Sequence, residues 1–170
     1  MTLSALTGLV MLLVTSENSA TVVVPNVGLY RPTSEQTRTM YGSSWIVIGL
    51  RNRLLEPSKG VTYAPDTRLI ASPVRSTQSG NSVMLFPAQV RATVGLSRSG
   101  SDTNVSMFAC AGLLGVWTSG SKSRYTMAPM TSIGFGIIRG RFDFEAVYYQ
   151  PQSTDGYDFS GLSLGVGLRL

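Results

Sequence analysis

Asp143 and Glu145 stand two residues apart, a spacing that places both carboxylates on one face of an extended strand. A carboxylate next to a serine hydroxyl could act as the base of a nucleophilic site, and Ser132 and Ser163 fall on small-residue faces of nearby apolar stretches. The chain contains no histidine, so imidazole is missing as a base, a proton shuttle and a metal ligand. A serine hydroxyl without that partner is a weak nucleophile, and small serines also serve simply to fill a cramped interior. The single cysteine, Cys110, excludes an intramolecular disulfide and a CxxC metal site, and reads as a small apolar residue. The balance of residue types therefore favours a protein that is not an enzyme. No cofactor and no metal are expected.

The other chemistry open to Asp143 and Glu145 is ion pairing, and what it means depends on the elements that carry them. With 170 residues, 18 of them glycine, only 14% charged and with a positive mean hydropathy, the chain suits one all-β domain that is poorly charged for a soluble protein. Net charge is +5, but the basic residues are scattered singly and no aromatic-rich basic motif appears, so no nucleic-acid partner is expected.

Leu3 to Val14 is an apolar run too short to span a bilayer as a helix and of the length of a secretory h-region; Thr15 to Ala20 ends in small residues suited to cleavage. Residues 1–20 thus read as a signal peptide and 21–170 as a single barrel domain, although no Lys or Arg precedes the run. A first strand or a core helix segment is the structural alternative.

From Thr21 onward, eight stretches of strand length alternate with clusters of turn-forming residues: Thr21–Arg31, Ser44–Leu54, Thr67–Ser76, Ser82–Leu96, Asn104–Thr118, Thr126–Ile138, Arg141–Tyr149 and Asp158–Leu170. Their short connections suit an up-and-down antiparallel meander. Pro25 and Pro87 predict bulges or breaks, Pro73 interrupts the third strand, and Met107 to Trp117 is apolar or small on both faces. Arg139-Gly140 reads as a tight two-residue turn, Pro32 to Ser43 and Gln150 to Tyr157 as longer loops on the opposite side, and Leu55 to Asp66 as a long connection on the short side.

Alternation is cleanest in the final strand, where Phe159, Leu162, Leu164, Val166, Leu168 and Leu170 oppose Gly161, Ser163, Gly165, Gly167 and Arg169. Period-two alternation is shared by soluble and membrane barrels, so the less apolar face must decide. That face is mostly Gly, Ser and Thr with isolated charges, which suits the cramped interior of an eight-stranded barrel rather than a solvated surface. The expected fold is an all-β, eight-stranded, antiparallel up-and-down transmembrane barrel with a polar lumen filled by side chains. Inside it, Arg51, Arg91, Arg141 and Arg169 would meet Asp143 and Glu145 as an ion-pair network, since buried charges must be paired. Tyr148, Tyr149, Tyr157 and Phe159 beside the last long loop, and Tyr30, Tyr41 and Trp45 beside the first, would form an interfacial aromatic girdle.

At this level of pattern the mature length resembles the small eight-stranded outer-membrane barrels of the OmpA/OmpX-like group. The segment Gly161 to Leu170 is similar to the closing strand read by the barrel-assembly machinery, with Leu170 where that signal carries an aromatic. The resemblance implies outer-membrane lipid and the assembly machinery as partners, and location in the outer membrane of a diderm bacterium. Two barrels of similar size, a palmitoyltransferase and a 3-O-deacylase, modify lipid A. Both depend on a histidine, and no catalytic residue carries over to this chain.

The expected role is structural or adhesive, through loops that vary on a fixed scaffold. Expected external contacts are Glu35, Arg38 and Tyr41, then Lys122, Arg124 and Tyr125, then Asp155 and Tyr157. A porin-like passive channel is a variant opposed by a charged lumen. Two alternatives stand beside it: a lipid A-modifying enzyme, and a soluble small barrel or sandwich that binds an apolar ligand or self-assembles.

Overall fold

The computed structural model describes residues 21–54, 61–73, 80–97, 102–120 and 123–169, and the side chains of these except 21–23 and 51–54. The leader expected over residues 1–20, the terminal Leu170, Lys122 and the side chain of Arg51 lie outside that set. The elements in chain order are β1 (Thr21–Pro32), α1 (Glu35–Tyr41), β2 (Trp45–Leu54), β3 (Val61–Ala71), β4 (Ser82–Gly95), β5 (Thr103–Ser119), β6 (Arg124–Arg139), β7 (Phe142–Pro151) and β8 (Gly161–Leu168). Every strand pairs antiparallel with its sequence neighbours, and β8 returns to β1 through the register Asn26↔Gly167 to Pro32↔Gly161, so the sheet closes as an eight-stranded barrel. Closure leaves no sheet edge unpaired, which removes the usual liability of an apolar strand.

Three expectations change. β3 begins at Val61, ahead of the expected Thr67, and runs through Pro65, which sits opposite Val90; the connection from β2 is correspondingly short. Pro25 and Pro87 produce no bulge and leave their own strands continuous, with Pro25↔Leu50 and Pro87↔Leu114 in unbroken ladders; opposite Pro87 the β3–β4 ladder is interrupted between Thr67↔Ala88 and Ile70↔Leu85, in the same register on both sides. A proline in a ladder forfeits one N–H donor, and the neighbouring strands of a closed sheet hold it in place through the remaining pairs. The turn between β6 and β7 is Gly140-Arg141, closed by the pair Arg139↔Phe142. Gly140 has φ +60°, the left-handed value that the first central position of a type II′ hairpin turn requires and glycine adopts without strain.

The ambiguous β5 sorts cleanly once curved into the barrel: Phe108, Cys110, Leu114 and Val116 are buried, while Met107, Leu113 and Trp117 are exposed. Across β8, Leu162, Leu164, Val166 and Leu168 point outward, and Gly161 and Ser163 inward. The outer surface is consequently apolar on strand after strand, with Leu29, Ile48, Val90, Ile133, Phe135 and Leu164 all about half exposed or more. The inner surface holds charged and polar residues together with large apolar ones.

Candidate functional site

Near mid-barrel the inward faces of β3, β4 and β7 bring four charged side chains together. Asp66 and Arg68, two apart on β3, share a face and form a two-pronged pair, with Arg68 Nε donating to Asp66 Oδ1 at 2.8 Å and Nη2 to Oδ2 at 2.7 Å. Arg68 Nη2 also lies 2.5 Å from Glu145 Oε1 on β7. Arg91 on β4 completes the ring, with Nη2 donating to Glu145 Oε2 at 2.7 Å and Nη1 to Asp66 Oδ2 at 3.3 Å. Two guanidiniums and two carboxylates alternate around a closed cycle of zero formal charge, none of their side chains more than 9% exposed. Pairing of this kind is the condition under which ions can leave water at all.

Aromatic rings flank the cycle. The Arg91 guanidinium carbon lies 3.3 Å from the centroid of the Phe108 ring, and that of Arg68 lies 6.0 Å from the centroid of Tyr149. Phe108 can lie flat there because its cross-strand partner is Gly134; a Cβ on that glycine would come within 2.5 Å of Phe108 Cζ. Nearby, Ser132 Oγ donates to Gln89 Oε1 at 3.2 Å, both residues buried.

Arg91 and Glu145 therefore meet as the spacing predicts, while their partners are Asp66 and Arg68, which the expected start of β3 had left in a loop or at a strand end. Arg141 and Arg169 are not part of the cycle: the first is exposed in the hairpin turn, and the second follows β8 half-buried at the same end, in phase with the inward residues of that strand, its N–H donating to Arg141 O at 2.8 Å. β7 begins at Phe142, so Arg141 lies one residue beyond the strand, in the turn. Asp143 is fully buried on the inward face of β7. The backbone of Arg51 pairs with Val24 and Asp66.

Above the ion pairs, toward the end that carries α1, the lumen is apolar rather than polar. Tyr30, Ile70, Leu85, Leu114, Met130, Tyr149 and Phe159 converge on the axis and leave no water-sized space between them. The mouth is sealed by a cluster in which Tyr30 and Trp45 rings stand 5.3 Å apart, Tyr41 and Tyr157 5.3 Å, and Trp45 and Phe159 6.4 Å. Tyr30 donates through its hydroxyl to Phe159 O, and Trp45 Nε1 donates to Gly42 O at 2.8 Å. The expected girdle of Tyr30, Tyr41, Trp45, Tyr149 and Phe159 is thus an internal plug, because inward alternation at strand ends carries the rings over the lumen. Tyr148, Trp117 and Tyr125 are exposed on the outside at this end.

The missed element α1 caps the plug. Ser34 is its N-cap, accepting from the Thr37 N–H at 3.3 Å, with Glu35 in the first turn and Gly42 at the C-cap with φ 91°. Ser34, Glu35 and Gly42 are the sequence signal that marks it. Thr37 Oγ1 donates to Asp158 O at 2.7 Å and the Thr33 N–H to Ser160 O at 2.8 Å, so the loop between β1 and β2 is stapled to the loop between β7 and β8.

Of the expected loop contacts, Glu35 is exposed, Tyr125 is exposed over Gly115, and Arg124 pairs with Asp155 at 3.0 Å. Arg38 donates to Thr33 O at 2.7 Å and to Pro32 O at 3.2 Å, holding its own loop. Tyr41 is a correction, since it is buried in the plug with Tyr157 packed against it. Burial, with Tyr157 and Asp155 close by, pushes the Tyr41 phenol up to about 12.

No family model matches this sequence, and no curated protein matches it. Solved structures do. Neisserial surface protein A (NspA) aligns with a TM-score of 0.64 and 13% identity over 91% of this chain and 100% of that one. The N-terminal β-barrel domain of Pseudomonas aeruginosa OprF aligns with a TM-score of 0.55 and 14% identity over the same shares. The chain has the fold of the small eight-stranded outer-membrane barrels. At such identity the likeness is one of fold, so residue roles must come from this barrel's own geometry.

Proposed function

We propose that the protein is a non-enzymatic outer-membrane barrel of a diderm bacterium, with a structural or surface-binding role carried by the α1 end. One observation carries this reading: charges are gathered inside and apolar side chains outside, the inverse of a soluble barrel. On β4 the exposed apolar row from Phe86 to Leu96 runs about 34 Å along the chain and about 26 Å along an axis tilted by about 40°, close to the height of an outer-membrane apolar band. Outer-membrane lipid is then the partner of the barrel wall and the barrel-assembly machinery its partner during biogenesis. Residues 1–20 are the export signal in this reading.

A non-enzymatic role is supported by the state of the candidate groups. Ser132 is engaged with Gln89, Ser163 is buried, and Glu145 is held by two arginines, below an apolar plug that leaves no water-sized space among Tyr30, Ile70, Leu85, Tyr149 and Phe159. The exposed groups at the α1 end, Glu35, Tyr125 and the Arg124–Asp155 pair, form the surface offered to a partner.

The test is expression of the whole chain with membrane fractionation and electrophoresis of unboiled samples. The expected result is an outer-membrane band whose mobility shifts on boiling. A monomer freely soluble without detergent would refute the assignment. Mass analysis of lipid A with and without the protein addresses the enzyme alternative, with an unchanged profile expected.

A further inference from the structure

The ladder rows of the barrel climb toward the α1 end as they pass from strand to strand. One row runs from Ala64 through Arg91, Cys110, Ser132, Tyr149 and Gly161 to Pro32, so it begins near the lower end of β3 and finishes at the top of β1. With strands about 4.8 Å apart and tilted by about 40°, each step rises about 3 Å. A second row, on the outward face, runs from Leu29 through Ile46, Ala71, Met84 and Trp117 to Tyr125. Tyr125 accordingly stands about 15 Å above Leu29. On β1 the next outward residue after Leu29 is the exposed, charged Arg31, and on β7 the outward Gln150 follows Tyr148, so the apolar band ends there. Trp117 and Tyr125 also stand about 8 and 11 Å above Phe86, the last exposed apolar residue of the row on β4. The β5–β6 hairpin thus carries aromatic surface past the apolar band and into the depth of the headgroups.

The posture of Tyr125 is equally particular. Gly115 alternates outward between Leu113 and Trp117 and is nevertheless buried, because the Tyr125 ring lies across it: a Cβ there would meet Tyr125 Oη at 2.8 Å and two ring carbons at 3.4 Å. The phenol is folded down the wall, the reverse of an interfacial tyrosine that lifts its hydroxyl toward water. The residue stays 58% exposed, beside the exposed Trp117. One row higher, the outward residues are Ser82 and Ser119.

We propose that Trp117 and Tyr125 form a stacking platform for a sugar ring in the headgroup of a glycolipid in the leaflet at the α1 end. The inference rests on the membrane reading given above and names the partner of the exposed Tyr125. A pyranose ring has an apolar C–H face, which packs on flat aromatic surface, and a rim of hydroxyls, which here meets Ser82 and Ser119. Below the platform Phe86, Leu113 and Met127 continue the same strands as exposed lipid-facing wall, so a sugar and its own acyl chains meet one unbroken surface. That continuity selects an anchored glycolipid over a free saccharide. Among the described residues the neighbouring Arg124 is paired with Asp155, which directs the platform to a neutral ring rather than a phosphate.

The experiment refolds the full chain into vesicles of dioleoyl phosphatidylcholine, alone or mixed with rough-type lipopolysaccharide, and measures quenching of tryptophan emission by acrylamide. Of the two tryptophans Trp45 is fully buried, so the quenched signal is that of Trp117. Quenching is expected to be about fivefold weaker with lipopolysaccharide than with phosphatidylcholine alone, and Tyr125→Ala is expected to return it toward the phosphatidylcholine value. Lipopolysaccharide retained after extraction in mild detergent, counted by native mass spectrometry, should fall about fivefold in Y125A and in W117A. Tyr63→Ala, which removes an exposed aromatic from the outside at the opposite end, should leave it intact. Equal quenching in the two kinds of vesicle, protection unchanged in Y125A, or equal loss of retention in Y63A would overturn the platform. So would protection in phosphatidylcholine alone that grows with protein density, which would seat a second copy there. Equal protection by the deacylated saccharide added to phosphatidylcholine vesicles would overturn the anchored glycolipid. A chain that never enters vesicles overturns the membrane reading as well; one that inserts, shifts on boiling and shows equal quenching overturns only the platform.

Discussion

Glu145 is the residue on which the lumen turns, because its two oxygens meet two different arginines, Arg68 at 2.5 Å and Arg91 at 2.7 Å. Glu145→Gln removes the charge and keeps the volume, leaving two guanidiniums against Asp66 alone. The expected loss is about 3–5 kcal/mol, read from urea unfolding of the barrel in vesicles, since breaking a buried pair strands its partner. A loss under about 1 kcal/mol would show that water reaches the cycle and screens it. Tyr41 offers a second test at this scale. Its phenol ionises near 10 when unfolded and about 12 in the plug, so the folded state holds the proton more tightly. Its contribution is therefore complete below pH 10 and is lost as the pH rises from 10 through 12. Tyr41→Phe is expected to flatten the fall in unfolding midpoint over that window; parallel curves for the two proteins would contradict the buried placement.

At the scale of elements, the β6–β7 hairpin depends on a backbone shape only glycine takes easily, φ +60° at Gly140. Gly140→Val should cost roughly 1–2 kcal/mol in the same unfolding measurement, while Arg141→Gln beside it should cost almost nothing. The hairpin also shows where sequence reasoning reaches its limit. Alternation identified Asp143, Glu145, Phe142 and Phe144 by face, because side-chain direction has a strict period of two within a strand. It could not say which residue begins the strand, and one step in the turn placed Arg141 inside instead of at the rim. β3 failed for another reason: Pro65 obscured its start, which left Asp66 outside the expected strand and Arg68 at its very end, and these are half of the ion-pair cycle. Its neighbours supply the register that Pro65 itself weakens, and such support is invisible in one strand read alone. α1 was legible in Ser34, Glu35 and Gly42 but is only one short helix inside what reads as a loop.

For the molecule as a whole, eight strands, their order and the facing of β4, β6, β7 and β8 followed from pattern, whereas the division of the lumen did not. Its upper part is aromatic and aliphatic and its middle is charged, and inward residues of both kinds follow the same alternation, so only the closed barrel shows which lie at which height. The upper part leaves no water-sized space between its side chains, which bears on transport. Planar bilayers containing the refolded protein are expected to show no stepwise conductance; regular single-channel steps would mean that the Tyr30, Trp45 and Phe159 plug moves aside. The stapling of α1 to the loop between β7 and β8 through Thr37 and Asp158 opposes such a movement.

The central claim is that the apolar face of the wall meets lipid and the charged face does not meet water. Spin labels placed one at a time along β8, in a Cys110→Ala background and in vesicles, measure it directly through collision with oxygen and with a water-soluble nickel reagent. The account predicts strong oxygen contact and weak nickel contact at Leu162, Leu164 and Val166, and protection from both at Ser163. Strong nickel contact at the three outward positions would place that face in water and contradict the account.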